Sequence, residues 1–133
     1  NDVWHEQSHQ DGVDAELFEE TYRVLLRYTK RMLPETKLIL LGAYLTHGTA
    51  TDGTQWDRFY KEVALRNAIT RRLAAEFGVE FLNLQKLFDE ACEMLPPEHW
   101  TQDGVHPTAA GHRLIANVLE KKMQPTLADA EKR

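Results

Sequence analysis

The sequence predicts a doubly wound α/β fold on a parallel sheet, and three observations carry that prediction. Two short apolar runs, 37–43 and 79–84, are bounded by turn residues and lack the alternation of a half-exposed strand, so they read as strands buried on both faces. Amphipathic helical segments separate and flank them, giving the order helix, strand, helix, strand, helix. The residues with chemical potential fall in the loops after each run, on the side where such sheets bind ligands.

Residues 1–12 are polar and close on Asp11-Gly12, a turn signal, so they read as loop. Asp14 is a good N-cap for a helix to about Met32. Phe18, Tyr22, Leu25, Leu26 and Leu33 lie on one side of it, with Glu19, Arg23, Arg27 and Lys30 largely on the other. Pro34 ends the helix. The run 37–43 is the first strand, and the Thr- and Gly-rich stretch 44–56 is the exposed loop at its carboxyl end.

A second helix is expected over 57–77, with Phe59, Val63, Ile69, Leu73 and Phe77 apolar and Gly78 as its stop. The second strand, 79–84, leads into a short helix over 85–95 that Pro96-Pro97 closes. A loop from 98 to 106 follows, then a last helix from Thr108 to about Met123. Beyond Pro125 the chain is charged and expected to fray. The domain therefore reads as 1–125, with 126–133 a tail.

The chain has 133 residues, 42% of them hydrophobic, and a formal net charge of −5, which fits one soluble globular domain. The acidic balance argues against nucleic acid or an anionic membrane as partner, because both require clustered Lys and Arg. No apolar run approaches the length of a membrane span. One cysteine, Cys92, cannot form an internal disulfide and suits a reducing compartment, so a cytoplasmic location is expected. No cofactor is called for.

The chemistry concentrates in Asp103-Gly104-Val105-His106-Pro107. An aspartate three residues before a histidine, in a turn that Gly104 loosens and Pro107 stiffens, can fold back so that its carboxylate meets one imidazole nitrogen. The other nitrogen is then free to take a proton from an attacking hydroxyl. Trp100 precedes the pair, and Leu114, Ile115, Val118 and Leu119 follow at helical spacing. A bare D-x-x-H is common by accident, and its bland reading is a loop end that caps the next helix.

The opening Asn1-Asp2-Val3-Trp4-His5 and the stretch from Asp103 through Thr108-Ala109-Ala110-Gly111-His112 together resemble the third and fifth sequence blocks of the SGNH (GDSL-type) esterases and lipases. Their order and separation match as well. The resemblance implies a flavodoxin-like three-layer sandwich with five parallel strands, of which this chain holds the C-terminal part. It implies His106 as general base, Asp103 as its orienter and Asn1 as an oxyanion donor. Trp4 and Trp100 resemble aromatic positions flanking the family's motifs and would wall the pocket. His5, near the site mouth, and Tyr44, in the loop beyond the first strand, are further substrate-contact candidates.

The family's Gly-Asp-Ser block lies upstream of the asparagine, and no Gly-Asp-Ser occurs here. Ser8 is the one serine, and His5-Glu6-Gln7-Ser8-His9 is not a strand-to-helix nucleophile turn. The expectation is an acyl- or acetyl-ester hydrolase, with carbohydrate esters among its substrates, whose serine comes from a missing N-terminal segment of the domain, attached or as a separate chain. By itself the chain is expected to be inactive. Two other readings compete: a non-catalytic complementing fragment or binding domain, and a zinc hydrolase built on His5-Glu6-x-x-His9. The zinc motif requires both histidines on one face of a formed helix, and Asp11-Gly12 breaks any helix there.

Overall fold

The computed structural model describes Val3, His5 and residues 11–53 and 55–130, the last six as backbone only. Helix α1 (Ala15–Met32) starts where Asp14 accepts the Leu17 N–H at 2.8 Å, and it stops at Leu33, one residue before Pro34. Strand β1 (Ile39–Leu41) follows, then helix α2 (Trp56–Phe77), which Gly78 closes in the left-handed conformation at φ 61°. Strand β2 (Glu80–Leu82) pairs parallel to β1, with Leu40 opposite Phe81, and the Gly42 N–H extends the ladder to Leu82 O at 2.9 Å.

Helix α3 (Leu84–Met94) is capped by Asn83, which accepts the Lys86 N–H. A single turn, α4 (Pro97–Trp100), and the long helix α5 (Ala109–Ala130) follow. The core lies between the sheet and its first two helices. Leu40 shares one buried cluster with Leu26 of α1 and with Ile69, Leu73 and Ala74 of α2; α2 packs against both strands and α1 packs against α2. Arg23 locks the two helices together, its Nε donating to Glu76 Oε1 at 3.0 Å and a terminal nitrogen donating to Glu19 at 2.6 Å.

The strands are three residues long and only partly buried, with Leu41 and Glu80 exposed, where the sequence predicts both runs covered on both faces, and Val3 and His5 take helical backbone where it predicts a loop. Three further details depart from the sequence reading. The loop expected from 98 contains the α4 turn, because Pro97 at a first helical position forfeits no bond and brings the right φ. Helix α5 runs to Ala130 past Pro125, although an interior proline removes an intrahelical donor and crowds the carbonyl four residues back. In α1, Leu25 and Leu33 are not core; they join Leu17, Val24, Tyr28 and Met32 among its exposed apolar side chains. Among the described residues, no helix is long and apolar enough to cross a membrane.

Candidate active site

The loop between Thr101 and Pro107 is a closed hairpin. Thr101 and Pro107 form an antiparallel bridge, and the Gln102 N–H donates to His106 O at 2.8 Å. Inside it, Asp103 folds back on the chain as its D-x-x-H spacing anticipates. Its Oδ1 accepts the N–H groups of Val105 and His106 at 3.0 and 2.9 Å, while its Oδ2 lies 2.8 Å from His106 Nδ1.

Those bonds hold the Asp103 carboxyl at about 2, below its ordinary 3.8. The His106 backbone contributes most, followed by the imidazole and the Val105 N–H. A carboxylate ionised at neutral pH only accepts, so the proton of the pair sits on Nδ1 and the Nε2 lone pair is left to act as a base. The His106 side chain is 72% exposed and that of Asp103 27%, so the imidazole is open and the carboxylate more shielded.

The loop after β1 clamps this hairpin at three consecutive carbonyls. Ala50 N–H donates to Asp103 O and Thr46 N–H to Gly104 O, each at 2.9 Å, and the Tyr44 hydroxyl donates to Val105 O at 2.9 Å. Beneath them Thr46 and Thr101 share a buried hydroxyl–hydroxyl bond of 2.6 Å, and the Thr51 hydroxyl donates to Thr46 O. The two loops touch so closely that glycine is required on both sides. A Cβ at Gly48 would overlap the Asp103 carbonyl, and one at Gly104, where φ is +102°, would overlap Thr51.

A cavity of about 690 Å³ opens beside the dyad. His106, Val105, Tyr44 and His5 line it, together with the end of β1 at Leu41-Gly42 and the α2 residues Arg66 and Asn67. Tyr44 lines this space with its ring stacked on Phe88 at 3.8 Å. Burial, and then the Asp103 charge, push its hydroxyl up to about 12, so it stays a protonated donor. His5 lies at the rim with Nδ1 3.5 Å from Asp11.

Trp100 is placed differently. Its indole donates to Ala91 O and Leu95 O, tying α4 to α3, and it does not line the cavity. Asn1, Trp4 and the zinc-motif residues Glu6 and His9 lie outside the described residues. Gly48, Thr51 and Gln85 escaped the sequence reading, because no motif marks a residue whose task is to hold another loop.

The model of the GDSL-like lipase/acylhydrolase family matches residues 1–114. An acetylxylan esterase from Geobacillus stearothermophilus is 24% identical over 123 residues, 92% of this chain and 55% of the esterase. Among solved structures, a protein from Parabacteroides merdae described as GDSL-like lipase superposes with a TM-score of 0.82 at 33% identity, over 90% of this chain and 54% of that one. An α/β hydrolase from the metagenome of Lake Arreo, Spain, gives a TM-score of 0.74 at 25% identity, again over 90% and 54%. The chain thus spans about half the length of the relatives it matches.

Proposed function

This chain belongs to the GDSL-like lipase/acylhydrolase family, and from that premise we propose that it is the C-terminal portion of a serine ester hydrolase. The observation that carries the reading is the 2.8 Å bond between His106 Nδ1 and Asp103, in a histidine that lines the cavity. The serine comes from a segment outside the sequence, attached or separate, that completes the sheet. Among the described residues, an open two-stranded sheet, the exposed apolar side chains of α1 and the cavity beside β1 all support such a partner.

In this mechanism His106 Nε2 takes the serine proton as the serine oxygen bonds to the acyl carbon. Asp103 stabilises the imidazolium, and the proton passes to the alcohol as its bond to the acyl carbon breaks. Water then repeats the sequence on the acyl-enzyme and releases the acid. The Asn1 amide donates to the oxyanion, a contact whose loss typically lowers turnover by about a hundred- to a thousandfold.

His5 and Tyr44 border the acyl or alcohol group, with Trp4 as an outer contact, while Trp100 serves the α3–α4 junction instead. The acetylxylan esterase among the relatives supports small acetyl esters, carbohydrate esters included. The lone Cys92 supports a reducing, cytoplasmic setting.

The test is intact-mass analysis of the full-length gene product and any polypeptide that accompanies it, before and after a fluorophosphonate that labels activated serines. An adduct outside residues 1–133 is expected, along with loss of labelling and ester turnover in His106→Ala. No adduct and no turnover on acetyl esters would leave a non-catalytic complementing fragment instead.

A further inference from the structure

Resting on that reading of the dyad, we infer that Gln85 is a positioning residue for Asp103 and His106, acting through the loop that follows β1. Gln85 stands at the second position of α3, just beyond the carboxyl end of β2. Its amide gives Leu45 what a neighbouring strand would give. Oε1 accepts the Leu45 N–H at 2.9 Å, and Nε2 donates to Leu45 O at 2.8 Å.

The β1–β2 ladder has already ended at Gly42, so without Gln85 the backbone of buried Leu45 would lose both partners. Nε2 also donates to Asp89 Oδ1 at 2.8 Å. Only the amide nitrogen can serve two acceptors in this way, so the orientation of the side chain is determined by its network.

Leu45 lies between the two residues that grip the dyad hairpin most directly. Tyr44 on one side holds Val105 O, and Thr46 on the other holds Gly104 O. A tether on Leu45 therefore sets where both donors stand. Those donors in turn set the hairpin in which Asp103 grips His106. No hydrogen bond among the described residues joins Gln85 to Asp103 or His106, so its effect passes through the two loops.

Two near-isosteric variants test this in the full-length gene product. Gln85→Met removes donor and acceptor. Gln85→Glu keeps an acceptor for the Leu45 N–H, but when ionised it turns a carboxylate toward Leu45 O and Asp89. Both should lower kcat about ten- to a hundredfold with KM changed less than about twofold, the pattern of a displaced catalytic group rather than a lost substrate contact.

A second readout does not depend on turnover. The Asp103 carboxyl, followed by carbon-13 NMR, should titrate from about 2 in the native protein toward its ordinary 3.8 in Gln85→Met. In Gln85→Glu, protonating the new carboxyl restores one donor and one acceptor. The backbone signals of Leu45 and Val105 should then return toward native positions in acid, which also decides the matter if Gln85→Met does not fold.

Native kcat and native Asp103 titration in both variants would overturn the inference, as would Gln85→Glu showing no recovery in acid. A native protein without ester turnover would sink the hydrolase reading, yet the Asp103 titration would still decide the role of Gln85.

Discussion

Asp103 uses its two oxygens differently, and that division makes the dyad specific. Oδ1 closes the turn through two backbone N–H groups, while Oδ2 alone faces the imidazole. Asp103→Asn can keep the turn with its remaining oxygen, but it presents an N–H to His106 and favours the wrong tautomer. If Asp103 orients His106 as proposed, turnover on an acetyl ester in the full-length protein should fall by about 10⁴-fold, the loss typical of a triad aspartate, with KM little changed; a loss under tenfold would remove Asp103 from the mechanism. The lowered carboxyl also predicts a pH effect of definite sign. A carboxylate held near 2 against an ordinary 3.8 adds stability that is fully present above the higher value and is lost as pH falls through the lower one. Acid unfolding curves of native protein and Asp103→Asn should therefore converge between those values. An unchanged gap across that window would count against the turn. The pairing of Asp103 with His106 was legible in the sequence, because three residues of separation around a glycine leave the chain few ways to turn.

At the scale of elements, each helix declares itself through period and punctuation. Asp14 caps α1, Asn83 caps α3, and Gly78 ends α2 at φ 61°, a conformation that costs a side chain and suits glycine. Apart from its own chain neighbours, no atom stands within 4 Å of a Cβ built at Gly78, so Gly78→Ala isolates the backbone term. It should destabilise the full-length protein by about 1 kcal/mol, read as a lower denaturant midpoint at unchanged slope. Equal midpoints would show that the helix end relaxes at no cost. The apolar side of α1 was legible as a pattern, but its use was not. Leu26 is buried while Leu25, one position away, is 57% exposed, because hydropathy counts apolar residues and only packing partners decide which are covered. Pro125 is a strong local stop signal, yet α5 continues past it to Ala130.

For the whole molecule, the sheet sets the expectation. Among the described residues, two parallel strands of three residues pair with each other and leave both edges open, and a core of this size does not sustain such a sheet alone. We expect residues 1–133 in isolation to unfold without a cooperative transition in urea and to bind a hydrophobic dye. The serine-bearing segment should restore a single sharp transition. A cooperative, concentration-independent transition from the isolated monomer would refute the need for that segment. The fold class and the dyad were determined by the sequence itself, because period, turn chemistry and a three-residue separation act over short stretches of chain. Only the tertiary structure decided that Tyr44, Thr46 and Ala50 hold the carbonyls of residues 103–105, that Gly48 and Gly104 must be bare where the two loops meet, and that Gln85 stands in for a strand beside Leu45. These contacts join residues 40 to 61 positions apart, and a partner at that distance leaves no local signature: it exists once β1 and β2 pair and carry their loops to the same end of the sheet.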